Sequence, residues 1–96
     1  MKIRLRLYGV FKSAAGIGDT QLDITSRSTV KTAIQQVVSQ PSFSELKHLL
    51  LESNSSDPRP NALIMISGKE ITALKGLDTM LEENDELSLL PVAHGG

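Results

Sequence analysis

Residues Lys2-Ile3-Arg4-Leu5-Arg6-Leu7-Tyr8 alternate charged and apolar side chains without a break. Alternation at period two fits a β-strand with one buried face, because successive side chains of a strand point to opposite sides. Ile3, Leu5 and Leu7 are therefore assigned to a core, and Lys2, Arg4 and Arg6 to a basic row on the far face. Thr20-Gln21-Leu22-Asp23-Ile24-Thr25 repeats the pattern with Leu22 and Ile24 inward. The glycine-bearing stretch between them, residues 9–19, reads as a loop or hairpin connection. The chain thus opens with an antiparallel hairpin whose apolar face needs a cover.

The cover is supplied next. Val30, Ala33, Ile34, Val37 and Val38 recur at i, i+3, i+4, i+7 and i+8, one apolar helical stripe. Ser28 is placed to cap its first turn, and Gln40-Pro41 ends it, since a residue before proline is pushed out of the α region. Ser42-Phe43-Ser44-Glu45 has capping-box spacing, with Leu46, Leu49 and Leu50 continuing as a short second helix. His48, on that helix, is read as an ordinary surface residue. The proline-rich stretch 53–60 is a loop, too close to the end of the chain to separate two domains.

Asn61-Ala62-Leu63-Ile64-Met65-Ile66-Ser67 is a strand whose nearly continuous apolar run implies burial on both faces. Gly68-Lys69 follows as a turn, and Glu70-Ile71-Thr72 as a short edge strand. Leu77 and Leu81 pin a compact turn around residues 78–80. In the acidic turn Glu82-Glu83-Asn84-Asp85-Glu86, Asn84 is the residue suited to a left-handed backbone, and its carboxylates are expected to be solvated rather than to hold a metal. Residues 86–90 form the last strand. The resulting expectation is an α+β domain over residues 1–90. Its mixed sheet of four to five strands is covered on one face by a main helix and a short second helix, with the last strand beside the first.

Composition excludes several functions. Ten basic and eleven acidic residues give a net charge of −1, which provides no global attraction to nucleic acid or to an anionic membrane. The basic row is accordingly read as a solvated face or a surface for an acidic protein partner. There is no apolar run long enough to span a bilayer and no secretory leader pattern, so a cytoplasmic protein is expected. The chain has no cysteine, and so no thiol nucleophile, thiolate metal ligand or side-chain persulfide.

The remaining six residues, Pro91-Val92-Ala93-His94-Gly95-Gly96, contain nothing that looks able to pack. Pro91 lacks an N–H and is suited to ending strand pairing. Six extended residues reach roughly 20 Å, and two glycines without Cβ can enter a channel too narrow for side chains. Taken by itself, the tail is better explained as a frayed end, where glycines are common.

Taken with the chain in front of it, the tail completes a pattern. The opening strand 3–8 with Ala15-Gly16, Ser28-Thr29-Val30, Leu63-Ile64-Met65-Ile66-Ser67-Gly68, and Leu81-Glu82-Glu83-Asn84-Asp85-Glu86-Leu87 leading to Leu90-Pro91-Val92-Ala93-His94-Gly95-Gly96 together resemble the ubiquitin-like β-grasp sulfur-carrier family. That family includes the small subunit of molybdopterin synthase (MoaD), the thiamine-pathway carrier (ThiS), which is generally shorter, and the small archaeal-type modifiers. Two turns depart from its pattern: Ser67-Gly68 where Asn-Gly is frequent, and Glu83-Asn84-Asp85-Glu86 where Asp-Gly-Asp-Glu is frequent.

The resemblance implies a β-grasp fold and a protein co-substrate rather than an enzyme. A partner adenylating enzyme would activate the carboxylate of Gly96 with ATP and Mg²⁺. A sulfur donor would convert it to a thiocarboxylate, and the large subunit of molybdopterin synthase would use it in molybdenum cofactor biosynthesis. Gly95, His94, Ala93, Val92 and Pro91 would occupy the partner's channel. The chain has no Gly-rich loop ending in Lys-Ser/Thr, so no nucleotide cofactor is assigned to it. Two alternatives stand beside this: a modifier joined through Gly96 to target-protein lysines, and a non-covalent β-grasp binding module acting through its sheet face, where Arg4, Arg6 and Phe11 are candidates.

Overall fold

The computed structural model describes residues 1–52 and 54–92. Its elements in chain order are β1 (Lys2–Leu7), α1 (Gly9–Ala15), β2 (Asp19–Asp23), α2 (Val30–Val38), α3 (Ser44–Leu50), β3 (Ala62–Ile66), β4 (Lys69–Glu70) and β5 (Glu86–Pro91), with short 3-10 turns at Pro41–Phe43, Ile71–Ala73 and Gly76–Asp78. The strands form one mixed five-stranded sheet in the order β2-β1-β5-β3-β4. β1 pairs antiparallel with β2 and parallel with β5, and β5 pairs antiparallel with β3. This is the β-grasp expected from the resemblance, with the last strand beside the first.

The period-two reading of β1 holds residue by residue. Ile3, Leu5 and Leu7 are buried while Lys2, Arg4 and Arg6 are exposed. All five stripe residues of α2 are buried against the same face. Each fully buried Val, Leu or Ile contributes about 1.5–3 kcal/mol through removal of apolar surface from water, so this shared face supplies most of the cohesion. Ile24 is buried, and Leu22 packs half-buried at its margin.

Several local expectations are corrected. Residues 9–15 form a third helix rather than a loop. It has no side-chain cap at its start, but Phe11 drives into the core at 1% exposure and Gly16 ends the helix at φ +74°, a left-handed geometry that glycine adopts without a Cβ penalty. Phe11 is thereby removed from the exposed candidates. The cap of α2 is Thr29, one residue later than Ser28. Thr29 Oγ1 accepts the N–H of Thr32, and Thr32 Oγ1 accepts the N–H of Thr29. Ser28 is instead buried, donating to the carbonyl of Thr25 and accepting from Gln36 Nε2.

Ser42 lies inside the 3-10 turn and does not cap α3, which begins after Phe43 without a side-chain cap. On that helix Leu46 and Leu50 are buried, whereas Leu49 is exposed, because the short helix meets the core along a narrow line. β3 is buried on one face only: Ala62, Ile64 and Ile66 point inward while Leu63 and Met65 lie on the open face. A continuous apolar run conceals this alternation, since both faces read as hydrophobic. β4 comprises only Lys69–Glu70, and Ile71 turns into the core instead of extending the edge strand.

Candidate functional site

The tail leaves from the central strand of the sheet. Leu87 and Leu89 are fully buried, and β5 is flanked by β1 on one side and β3 on the other. Pairing with β3 continues to the register Ala62–Pro91, after which the N–H of Val92 donates to the carbonyl of Asn61 at 3.1 Å. The ordered backbone therefore runs two residues past Leu90, where the sequence suggested it would stop.

Proline is tolerated there for a definable reason. The Val92 N–H points to Asn61 on β3's side, and alternation along a strand turns the neighbouring Pro91 nitrogen toward β1. β1 has ended at Leu7, and the carbonyl of Tyr8 is already taken by the N–H groups of Phe11 and Lys12 at the start of α1. No acceptor is left wanting the donor that proline lacks. On the same side, Gly9 sits at φ +55°, and a Cβ there would come within 3.0 Å of the proline ring.

Asn61 ties the other side of the root. Its N–H donates to Pro58 O at 3.0 Å and its side-chain amide to Leu50 O at 3.1 Å. One residue thus joins the end of α3, the turn after the proline-rich loop and the final strand. Sequence reading had placed Asn61 only at the start of a strand. Its bonds to Leu50 and Val92 span eleven and thirty-one residues in sequence, which no local pattern signals.

The open face of the sheet changes character from one edge to the other. On the β1–β2 side, Arg4 Nε pairs with Asp19 at 2.9 Å and Arg6 with Glu86 at 3.0 Å. Arg6 also lies over the ring of Tyr8, 5.6 Å from its centroid. The hydrogen bond that Arg6 donates to Glu86, with the nearby Tyr8, holds the guanidinium above its ordinary pKa. The basic row is therefore largely matched by carboxylates of the same chain. Toward β3 the face becomes apolar: Leu63 stands opposite Leu90, Met65 opposite Ser88, and Val92 follows at 42% exposure. This apolar end surrounds the tail root.

The acidic turn is structural. Asn84 takes φ +69° as expected, Glu83 accepts the N–H of Lys2, and Asp85 accepts from both Ser67 Oγ and the N–H of Glu82. Among the described residues no three His, Asp or Glu side chains gather as metal ligands. His48 is exposed on α3. Pro91 and Val92 are where the tail was expected to begin, whereas Ala93, His94, Gly95 and Gly96 lie outside the described residues.

A model described as the ThiS family matches residues 5–96. The chain belongs to the ThiS family. Its ubiquitin-like sulfur-carrier and modifier fold extends over the whole chain, and the family's members are small carrier proteins that act with partners. Small archaeal modifier protein 3 of Haloferax volcanii is 24% identical over 96 residues, with both chains covered completely. The crystal structure of small archaeal modifier protein 1 from the same organism superposes with a TM-score of 0.83 at 19% identity, covering both chains in full. A candidate molybdopterin converting factor, subunit 1, from Pyrococcus furiosus superposes with a TM-score of 0.75 at 15% identity over 97% of this chain and 99% of its own. These two structural likenesses establish the shared fold. Among the described residues of this ThiS-family chain, no helix is long and apolar enough to cross a membrane.

Proposed function

We propose that this ThiS-family chain carries sulfur on its terminal carboxyl, as the small subunit of a molybdopterin synthase in the cytoplasm. The observation that carries the reading is that Gly95-Gly96 follow in sequence three and four residues after Val92, whose backbone is fixed to Asn61 at the end of the central strand. A rigid body holds the root, and the two residues without side chains are the ones a partner's channel would admit.

The chemistry follows from the carboxylate. With a pKa near 3.5 it is an anion at neutral pH and a poor electrophile. One carboxylate oxygen of Gly96 attacks the α-phosphorus of ATP on a partner enzyme and pyrophosphate leaves, giving an acyl-adenylate. A hydrosulfide-class nucleophile from a sulfur donor then attacks the carbonyl carbon, AMP departs with the electron pair of the C–O bond, and the terminus becomes a thiocarboxylate. ATP and Mg²⁺ belong to the partner, and this chain acts as its protein co-substrate. Gly95, His94, Ala93, Val92 and Pro91 line up in the partner's channel, and the apolar end of the sheet at Leu63 and Leu90 meets the partner around the channel mouth.

A second reading is favoured by the full-length match to a modifier protein: the activated Gly96 carbonyl is attacked by a lysine amine of a target protein, giving an isopeptide bond. Both readings require activation. Deleting Gly96 abolishes adenylate formation while circular dichroism stays unchanged, and retained adenylation in the truncated chain contradicts both. Tail-bearing lysine peptides in cells select the modifier reading over the carrier.

A further inference from the structure

Beside the tail root, on the flank away from the apolar end of the sheet, β1 and α1 enclose an open cleft of about 470 Å³ lined by Arg6, Tyr8, Gly9, Lys12, Ile17 and Gly18 among others. Its electrostatics are unbalanced. Arg4 and Arg6 are matched by Asp19 and Glu86. The Lys12 ammonium, by contrast, has no hydrogen bond or ion pair among the described residues. The carboxylate at the rim, Asp19, is already held by Arg4.

The lysine is nevertheless placed. Its stem lies flat across Gly18, so closely that a Cβ there would come within 2.9 Å of Cδ and Cε. A stem laid on the surface in this way leaves the ammonium at the rim. Ile17, 40% exposed, adds an apolar wall beside it. Gly9 joins the cleft to the tail root through its contact with Pro91.

We propose that this cleft is a second docking site for the protein that receives the tail, taking from it a segment that presents a carboxylate to Lys12 and an apolar side chain to Ile17. The inference rests on the tail being inserted into a partner, because that partner is then the macromolecule held next to Pro91. The positive excess at Lys12 selects an acidic segment, and the exposed Ile17 selects one with an apolar residue beside the acid.

The test is calorimetric titration of the full chain with its cognate adenylating enzyme without ATP, alongside ATP–pyrophosphate exchange with ATP. Lys12→Glu and Ile17→Asp each weaken docking about tenfold, in the range of a lost rim charge pair or apolar contact at an interface. Gly18→Ala weakens it severalfold without altering any charge, because the new Cβ displaces the Lys12 stem. Lys47→Glu on α3 leaves docking unchanged, and thermal melts confirm that all four variants fold. Docking of Lys12→Glu and Gly18→Ala within twofold of the unsubstituted chain overturns the cleft proposal even when exchange proceeds normally. Docking without any pyrophosphate exchange contradicts the proposed tail chemistry and leaves the cleft supported by its variants. Absence of docking overturns both.

Discussion

Gly9 and Pro91 pack so closely that a Cβ on the glycine would stand 3.0 Å from Cγ of the proline. The contact joins the exit of the first strand to the exit of the last, although 82 positions separate them in sequence. Glycine is required twice here, for φ +55° and for the approach of the ring. The root of the tail is thereby held by β1 and α1 on one side and by Asn61 on the other.

Gly9→Ala should lose about 1–2 kcal/mol from the left-handed backbone alone, with a further loss from the crowded proline. Pro91→Ala introduced with it should recover part of that second loss. Urea denaturation of the two single variants and the double variant gives the coupling energy, and strict additivity would show that the contact carries no strain.

Asn61→Ala removes the side-chain hydrogen bond to Leu50 O. The expected cost is about 0.5–1.5 kcal/mol, together with faster amide exchange at Val92, whose N–H rests on the Asn61 carbonyl. Hydrogen exchange followed by NMR reads both. Unchanged protection at Val92 would mean that the clasp does not depend on the asparagine side chain.

Leu63 and Ile64 are adjacent apolar residues of one strand, but only Ile64 is in the core. Ile64→Ala should cost about 2–5 kcal/mol through the cavity it leaves. Leu63→Glu should change stability by roughly 0.5 kcal/mol or less, as surface substitutions usually do, while weakening engagement of the adenylating partner. Equal destabilisation by both would restore the picture of a strand buried on two faces.

This pair also marks where sequence reading reaches its limit. Strict alternation in β1 declared its buried face, and the 3.6-residue stripe of α2 declared its cover. In β3 the same residue types stand on both sides, so periodicity carries no information about which side is solvated. α1 was missed because its stability comes from Phe11 entering the core and not from a cap or a long stripe. At the tail root, the sequence put the start of a thin segment at Pro91, whereas the structure pairs Pro91 with Ala62 at the end of β5. Its supports at Gly9 and Asn61 reach Pro91 and Val92 across the fold and leave no local trace.

Arg59 binds Asp57 through its side chain, with a 2.8 Å contact from Nη2, and through its N–H, and these bonds hold the Asp57 carboxyl below its usual pKa. A lowered folded-state pKa adds stability that is present above the unfolded value of about 3.9 and is lost as pH falls through the folded value. Because the pair is solvent-exposed, Asp57→Asn should cost less than about 1 kcal/mol at neutral pH. The difference should shrink below about pH 4 and diminish in high salt. Thermal melts of both proteins across this range check it; a gap that widens on acidification would reverse the sign.

The most direct test of sulfur carriage is the intact mass of the chain purified from its native cell, with the mass of its C-terminal peptide. The account predicts a fraction in which one oxygen is replaced by sulfur, located at Gly96 and lost on deleting that residue. A terminus that remains a plain carboxylate, even after incubation with ATP, a sulfur donor and the cognate adenylating enzyme, would contradict it.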